Sequence, residues 1–586
     1  MNLSDMHLPL SIYHQRLETL NTKLAQLKKS SRQMGWIRLF VFVVLAVILI
    51  WVIGPLQSPM IFMGSVIGGI VIFMLPLSYH QKIFDSIAFT EALITVNENE
   101  IQLKKNLFSD GNEYASESAI ANDIDVTGPG SLYQLMNRCV TPYGNTSLTK
   151  SLLNQELNVE GIQKRQKAVQ ELTPAIDLRQ DLIAIALLGA SDKKDKPQAS
   201  TGTYFQQWKM LVMVWPFISA IAIGLGFFVH GAFYAIPFLA WLPLNRTAKQ
   251  VQQLYKEISG SSVTWSSYAK LFKRIDGNNF VSDELVELTA AAHGAHEAIQ
   301  RLAKISSRWD QRQNGLAIGF MNTLALFDLK CAYDYEQWKM QHQTQLSTWL
   351  ETIGQLERLN SLATFAFNHP DYSYPTLKTG KPEIEIQNMG HPLITSGNVV
   401  TNSIALGTDG CVYVITGSNM SGKSTFLRAI GLNMILAQAG VSVFAASMTF
   451  TPLRLLTSFR QSDSVQESTS YFMAELKRLK EIMSIVSGQV ASLILLDEIL
   501  RGTNSEDKSH GSEILLEKLM QVNAVTLLAT HDIKLGSLES IHPNKAVNYC
   551  FESEIKNDCL TFDYQIRRGI AQNKNATFLM KKMGIA

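Results

Sequence analysis

A glycine-rich loop contains the residues with the clearest chemical potential. Residues 411–425 read CVYVITGSNMSGKST, in which Gly417, Gly422, Lys423 and Ser424 fit the spacing G-x-x-x-x-G-K-[ST] of a phosphate-binding loop. Glycines let such a loop curl so that its backbone N–H groups face phosphate oxygens, and the helix that follows offers its positive end. We therefore expect an ATP site in which Lys423 reaches the β- and γ-phosphates as a catalytic residue and Ser424 holds Mg²⁺. The nucleotide-binding residues of this loop are Gly417, Ser418, Asn419, Met420, Ser421, Gly422, Lys423, Ser424 and Thr425.

The segments around the loop support this interpretation. The β-branched run 412–415 predicts a buried strand, and residues 426–437 predict a helix. A strand, a loop and a helix in this order are the context that the motif requires. A chance match to the bare pattern would lack them.

Two further apolar runs end in residues suited to ATP hydrolysis. Residues 492–498 predict a buried strand that ends in Asp497 and Glu498. We expect Asp497 to bind Mg²⁺, directly or through water, and Glu498 to orient and deprotonate the attacking water. The run 524–529 leads to His531, which is placed to sense or polarise the γ-phosphate. An Asp-Glu pair alone is usually a solvated turn, and a histidine alone is usually a surface residue. The order of these residues at successive strand ends, after the glycine-rich loop, favours a hydrolytic site.

These motifs resemble those of the MutS family of mismatch-repair ATPases. The loop is similar to the family's T-G-P-N-M-G-G-K-S-T, except that Ser418 replaces a proline and Ser421 a glycine. Residues 496–507 (LDEILRGTNSED) resemble its D-E-x-x-R-G-T-x-x-x-D, and residues 529–531 match its A-T-H.

The resemblance implies a nucleotide site shared between two subunits. Residues 470–475 (SYFMAE) resemble the family's S-T-F-M-x-E, with Tyr471 in place of a threonine. In the family this segment completes the partner subunit's site, so Ser470 would contact the γ-phosphate across the interface of a homodimer. The likeness also places Asn402 near the adenine. It puts Val399 where the family often has a stacking aromatic, which implies weaker packing of the base.

The likeness extends into the residues before the ATPase segment. Residues 137–153 (NRCVTPYGNTSLTKSLL) resemble the opening of the family's helical core domain. The resemblance implies an α/β P-loop NTPase of the ABC-like, MutS C-terminal type, preceded by an α-helical core or lever domain, and the apolar runs of the sequence add transmembrane helical hairpins to this fold class. The expected domains are an N-terminal cytoplasmic helix (1–38), transmembrane hairpin 1 (39–80), a linker helix region (81–130), the first part of the core (131–200), transmembrane hairpin 2 (205–246), the second part of the core and lever (247–375) and the ATPase domain (376–586).

Two apolar blocks predict membrane helices. Residues 39–56 and 60–77 are uncharged and near the length that a bilayer requires, and lysines and arginines flank the pair, which places both of its ends in the cytoplasm. Residues 211–244 have the same design, with a turn at 230–231. Their second half is short and contains two prolines, so it predicts a tilted, kinked or re-entrant segment. The alternative for each block is a buried hairpin in a soluble core, and this alternative is stronger for the second block than for the first.

The composition agrees with a cytosolic ATPase joined to membrane hairpins. The 586 residues include 52 Lys plus Arg and 50 Asp plus Glu, and the net charge of +2 does not by itself predict a polyanion partner. Hydrophobic residues make up 46% and charged residues 17% of the chain. We expect a multi-pass protein of the inner or cytoplasmic membrane, with membrane lipid as a partner and the ATPase domain in the cytoplasm. Five scattered cysteines predict neither a disulfide framework nor a zinc site.

DNA is a weakly supported partner. In the family that the chain resembles, mismatches are recognised by an aromatic side chain of a Phe-x-Glu motif. This motif lies in an N-terminal domain, and its aromatic ring is inserted as a wedge at a deformable base step. The sequence shows no such domain, and the tripeptide that begins at Phe89 lacks the surrounding residues. The leading hypothesis is therefore a dimeric, membrane-anchored ATPase that drives motions of helical levers. One alternative is a mismatch-binding protein that the membrane serves only to localise. The other is a scaffold that binds ATP without hydrolysing it.

Overall fold

The computed structural model of the chain describes residues 8–53, 59–105, 118–190, 203–226, 232–313, 315–394, 399–407, 411–459, 471–488, 490–501, 504–556 and 559–572. Helices dominate up to residue 368, and the strands follow. Ser470 and the turn predicted at 230–231 lie outside the described residues.

Two long helices pair at the N-terminal end. Helix α1 (Leu8–Val47) continues through a π-helical segment (Ile48–Ile53), and α2 (Pro59–Lys105) packs along it. Large apolar side chains on the far part of this pair face outward, as Phe40 and Trp51 show with 69% and 77% exposure.

A helical core follows this pair. Its helices are α3 (Ala119–Asp123), α4 (Leu132–Met136), α5 (Pro142–Leu153), α6 (Val159–Leu172), α7 (Ile176–Leu188), α8 (Lys209–Gly226, after a 3₁₀ turn at Tyr204–Trp208), α9 (Ala232–Ile258), α10 (Ser262–Asp276), α11 (Asp283–Ala291), α12 (Ala295–Asp310), α13 (Gly315–Ala325) and α14 (Phe327–Asn368). With 42 residues, α14 extends for about 63 Å and contacts most of the other core helices.

A buried polar network fastens α1 and α2 to the end of α14. The Tyr13 hydroxyl donates to Asn368 Oδ1 at 2.8 Å, and Asn368 Nδ2 donates to Glu100 Oε2 at 2.7 Å. Glu100 also pairs with Arg138, with 2.5 Å between Arg138 Nε and Glu100 Oε1. Because a buried charge without its partner is costly, the network specifies how the N-terminal pair meets the core.

The T-P-x-G segment shapes the contact between α5 and α14. Thr141 caps α5, its Oγ1 accepting from the Gly144 amide at 3.1 Å, and Pro142 occupies the first turn. Glu357 of α14 in turn accepts from the Thr141 hydroxyl at 2.6 Å. A Cβ atom on Gly144 would lie 2.0 Å from Glu357 Oε2, so only glycine allows this approach.

The C-terminal part contains two sheets. Its strands are β1 (Thr376–Leu377), β2 (Ile384–Met389), β3 (Asn402–Leu406), β4 (Val412–Thr416), β5 (Ser447–Phe450), β6 (Arg454–Ser458), β7 (Ser492–Asp497), β8 (Ala524–Thr530), β9 (Ala546–Lys556) and β10 (Cys559–Arg568). The smaller sheet has the order β1-β5-β2-β3 and the larger one β10-β9-β4-β8-β7-β6. In the larger sheet all neighbours are parallel except β10 and β9.

Helices cover both faces of the larger sheet. They are α15 (Lys423–Gln438), α16 (Tyr471–Val486), α17 (Ser505–Leu519) and α18 (Leu538–Ile541). Alternate residues of β4 belong to different cores, Tyr413 and Ile415 to one and Val412 and Val414 to the other. Burial on both faces explains why β4, β7 and β8 are continuous apolar runs in the sequence, and the structure confirms the predicted strands there.

Three stretches within the described residues are long and apolar enough to cross a bilayer, judged by length and composition. They are Pro9–Trp51, Gly64–Leu103 and Tyr204–Leu225. The second half of the 211–244 block lies in α9 and is not among them, since α9 contains Pro237 and Pro243 and becomes charged from Arg246 onward.

Candidate functional site

A cavity of about 830 Å³ opens where β4 and β7 end. Its lining includes residues 419–425 of the loop after β4 together with Asp497 and Glu498, while Asn402 and Tyr564 line another side. Because parallel strands end at one edge of the sheet, residues far apart in the chain meet here. The predicted loop and carboxylates therefore share one cavity.

The loop turns sharply before α15 begins. Gly422 has φ +103°, in the left-handed region, and its carbonyl accepts the first helical bond from the Phe426 amide at 2.9 Å. A Cβ atom on Gly422 would lie 3.1 Å from the Tyr564 ring. Of the two departures from the family pattern, Ser421 is buried, whereas Ser418 is partly exposed.

Lys423 is held inside the loop. Its ammonium donates to the carbonyls of Gly417 and Ser418 at 2.7 and 2.8 Å, and the residue is 5% exposed. Burial lowers the pKa of Lys423, while the carboxylates of Glu498 and Asp497 oppose this shift. A positive charge is thus concentrated beside the backbone of the loop.

Asp497 has the environment of a metal ligand. It is buried at the end of β7, and burial raises the pKa of its carboxyl, while a hydrogen bond from the Ser424 hydroxyl opposes that rise. Among the described residues its Oδ1 has no hydrogen-bond partner. A carboxylate oxygen without a partner beside a hydroxyl suits Mg²⁺, which prefers oxygen ligands.

Glu498 is fixed in an unusual backbone conformation. Its φ is +48°, and its amide donates to the Ala529 carbonyl at 2.9 Å, which ties the end of β7 to β8. The carboxylate forms an ion pair with Arg501, and Oε1 lies 3.6 Å from His531 Nδ1. The structure therefore brings Glu498 and His531 together at the ends of the neighbouring strands β7 and β8.

Helix α16 supports the loop after Glu498. Glu475 accepts from the Leu500 amide at 2.5 Å and also from the Arg501 amide. Burial raises the pKa of Glu475. The segment after Ser470 is thus bonded to the loop that positions the carboxylates.

Tyr564 is a cavity residue that sequence reasoning missed. It lies on β10 with φ +56°, where the pairing of β9 and β10 shifts register. Asn402 fixes it by donating from Nδ2 to the Tyr564 carbonyl at 2.9 Å and accepting at Oδ1 from the Ile566 amide at 2.7 Å. Asn402 lines the cavity, and its amide is bonded to the backbone of β10. Val399 also lines the cavity, and among the aromatic residues of the lining Tyr564, at 45% exposure, is the one that is not buried.

The sheet and the cavity define the class of domain. A P-loop after a buried parallel strand, with an Asp-Glu pair at the end of another strand of that sheet, is the architecture of a P-loop nucleoside triphosphatase domain.

Family comparisons agree with this class. Residues 413–584 match the family model for MutS domain V, which is an ATPase P-loop domain, and residues 108–196 match that for MutS domain III. The chain is 33% identical over 235 residues to "MutS protein homolog 4" of Mus musculus, covering 38% of this chain and 24% of the relative. It is 33% identical over 237 residues to "DNA mismatch repair protein MutS 2" of Halobacterium salinarum, covering 40% of this chain and 27% of the relative. It is 31% identical over 243 residues to "DNA mismatch repair protein MutS" of Thermotoga maritima, covering 40% of this chain and 30% of the relative.

These matches to MutS domains V and III confirm the resemblance to the MutS family that the motifs show. The matched part spans only 24% to 30% of the length of these relatives.

Proposed function

We propose that the chain binds ATP with Mg²⁺ and hydrolyses it at the cavity beside β4 and β7. The observation that carries this proposal is the meeting of Lys423, Ser424 and Asp497 at one edge of the sheet, with Glu498 bonded to the neighbouring strand. The match to MutS domain V supports the same reaction class.

The residues of the cavity fit this nucleotide and its metal. The backbone of residues 417–425 cradles the phosphates, and Lys423 balances their negative charge. Ser424 and Asp497 hold Mg²⁺, which would stabilise the charge that develops on the phosphoryl oxygens. Glu498 orients a water molecule and takes its proton onto the carboxylate, and His531 holds that carboxylate in place.

We assign the adenine end of the cavity to Tyr564. Its ring lies beside Gly422 and lines the cavity, so it offers a flat apolar face to a base. Asn402 keeps this ring in position through its two hydrogen bonds to β10.

The complete catalytic unit in this proposal is a homodimer. Ser470 of each chain reaches the γ-phosphate held by its partner, as the family motif implies. The hydrogen bonds that Glu475 accepts from backbone amides of the loop after Glu498 support a link between this motif and the catalytic carboxylate.

The same proposal places the chain in the cytoplasmic membrane as a multi-pass protein with its ATPase domain in the cytoplasm. The outward apolar surface of the α1–α2 pair and the candidate span in α8 support contact with membrane lipid. Helix α14 runs from the neighbourhood of α8 to the network at Asn368, so it is suited to transmit motion between the nucleotide site and the hairpins.

The names of the relatives supply a second candidate function. Several are named DNA mismatch repair proteins, so a membrane-tethered chain that binds mismatched DNA is the competing proposal. Binding of the full chain to matched and mismatched duplexes, measured at several salt concentrations, distinguishes the two. Tighter binding to the mismatched duplex would favour the second candidate.

ATP binding and turnover by Lys423→Ala test the nucleotide site. Loss of the ammonium removes the charge that faces the phosphates, so both ATP binding and turnover should fall at least tenfold, roughly the effect of one charge-assisted hydrogen bond. Lys378→Ala, which removes an exposed lysine paired with Glu383, is the matched control and should leave both unchanged. Unchanged turnover in Lys423→Ala would contradict the proposal.

A further inference from the structure

Helix α13 presents an apolar face that the neighbouring helices leave exposed. We propose that α13 is a lipid-contacting helix that joins α8 and α9 in one membrane-embedded unit, with a phospholipid bilayer as its partner. This inference rests on the proposed membrane anchoring and adds to it an element that the sequence analysis did not assign to the membrane.

The composition of α13 suits lipid. Its 11 residues, GLAIGFMNTLA, include no charged side chain. Leu324 lies three positions after Met321 and four after Phe320, so it shares a side of the helix with each of them, and the three side chains are 39%, 36% and 73% exposed. An exposed phenylalanine beside two further apolar side chains is costly in water.

Packing places α13 beside a candidate membrane span. It contacts both α8 and α9, and Trp215 of α8 donates from Nε1 to the Thr323 carbonyl at 2.9 Å. The outward side chains of α8 and α9 are also apolar, with Phe217 70% and Phe238 67% exposed. Exposed apolar side chains on three packed helices form the kind of contiguous surface that marks contact with a protein or a membrane.

Charged and amphipathic residues border this unit and favour a bilayer. Lys209 begins α8, and Arg246 follows the apolar half of α9. Arg312 precedes α13, with its guanidinium 4.9 Å from the centre of the Tyr255 ring, and Asp328 follows α13 at 3.4 Å from Arg312. An apolar unit bordered by charged residues matches the boundary between the hydrocarbon layer of a bilayer and its headgroups.

The length of α13 indicates how it meets the bilayer. Eleven residues extend for about 16 Å, half of the thickness of the hydrocarbon layer, so α13 enters one leaflet or lies at its surface. Helix α13, which the sequence analysis did not assign to the membrane, is therefore an interfacial element and not a membrane span.

A tight joint connects α13 to α14. Leu326 between them is buried and has φ +46°, and Asn322 accepts from the Asp328 amide at 2.8 Å and donates to its carboxylate at 3.1 Å. A displacement of α13 in the bilayer therefore moves the start of α14. Through α14 this displacement is transmitted to the polar network at Asn368.

Photo-crosslinking of the full chain in liposomes tests this inference. The photoreactive amino acid p-benzoylphenylalanine replaces Phe320 in one variant, Phe217 of α8 in a second and the 86% exposed Val281 of the core in a third. Each variant is reconstituted into vesicles of phosphatidylcholine and phosphatidylglycerol, irradiated and measured by intact mass. ATP turnover of each variant, which none of these positions should change, confirms folding.

We expect an added phospholipid mass at positions 320 and 217 and none at 281. Lipid adducts at 217 but not at 320 would overturn the role of α13 while leaving the membrane anchor standing. Absence of lipid at both positions would contradict the membrane proposal for this block as well. A crosslink from 320 to a second copy of the chain would overturn the inference in favour of a protein interface.

Discussion

At the scale of single residues, the strained backbone of Glu498 holds its carboxylate in one position at the site. A non-glycine residue with φ near +48° costs on the order of 1 kcal/mol, and such residues cluster at active sites. The strain is offset by the bond from its amide to Ala529 and by the contacts of its carboxylate with Arg501 and His531. The carboxylate is thus fixed before any nucleotide arrives.

Tyr564 provides a test of the adenine assignment. Tyr564→Ala should weaken ATP binding about fivefold, because an aromatic stacking contact contributes about 1 kcal/mol. The turnover number at saturating ATP should change little, since this assignment places the ring against the base and not at the reacting phosphates. Titration with a fluorescent ATP analogue measures the affinity.

The matched control is Tyr564→Phe, which keeps the ring and the same backbone strain. It should bind ATP as the unmodified chain does. If the alanine variant also bound normally, the base would lie elsewhere in the cavity.

The contrast between predicted and missed residues has a physical cause. Lys423 and Ser424 follow one strand within a few residues, so their motif is local and can be recognised without a fold. Tyr564 reaches the cavity only because β10 pairs with β9 and Asn402 bonds to it across 162 residues of sequence. No local pattern marks that contact, so the sequence pointed to Val399 instead.

At the scale of elements, the joint between α5 and α14 couples packing to protonation. Glu357 is buried there, and burial raises the pKa of its carboxyl to about 7, despite opposing hydrogen bonds from Thr141 and Val140. In the unfolded chain the same carboxyl has its ordinary pKa near 4.5. The folded state therefore binds a proton that the unfolded state releases between these two values.

This difference predicts a pH-dependent stability. The contribution of Glu357 is fully present below about pH 4.5 and is lost as pH rises through about 7. Thermal unfolding of the detergent-solubilised chain should show a loss of up to about 3 kcal/mol across this window, relative to Glu357→Gln. Glu351→Gln, which removes an exposed carboxylate on the same helix, should retain the wild-type slope. Identical slopes for Glu357→Gln and the unmodified chain would disprove this assignment.

Elements differ in how far the sequence reveals them. The buried strands β4, β7 and β8 were predicted because burial on both faces leaves continuous apolar runs. Helix α13 was not predicted as a membrane element, because an uncharged run of 11 residues is too short for a span. Its partners become visible only when the fold brings it against α8 and α9.

At the scale of the whole molecule, α14 joins the regions that the proposed function requires to move together. Its first residues follow α13, and its last residue, Asn368, bonds to the network that holds α1 and α2. Helix α5 packs along it as well. A rigid helix about 63 Å long is a suitable lever between the nucleotide domain and the apolar hairpins.

The proposed homodimer predicts complementation between two inactive variants. Lys423→Ala lacks a functional phosphate loop, and Ser470→Ala lacks the residue that completes the partner's site. A dimer that contains one of each has one complete site. Mixing and reassembling equal amounts in detergent should restore on the order of a quarter of the wild-type ATP turnover, since half of randomly formed dimers are mixed.

Each variant alone, carried through the same treatment, is the control and should remain inactive. Turnover in the mixture no higher than the sum of the two controls would show that the site is not shared between subunits.

Pre-steady-state ATP hydrolysis by Glu498→Gln is the most direct measurement of the chemistry. The amide cannot accept a proton from water, so cleavage should slow by about 10²-fold or more while ATP and Mg²⁺ still bind with near-normal affinity. Retained binding with lost cleavage is the result predicted for a general base at the end of β7. Cleavage at the wild-type rate in Glu498→Gln would contradict hydrolysis at this cavity.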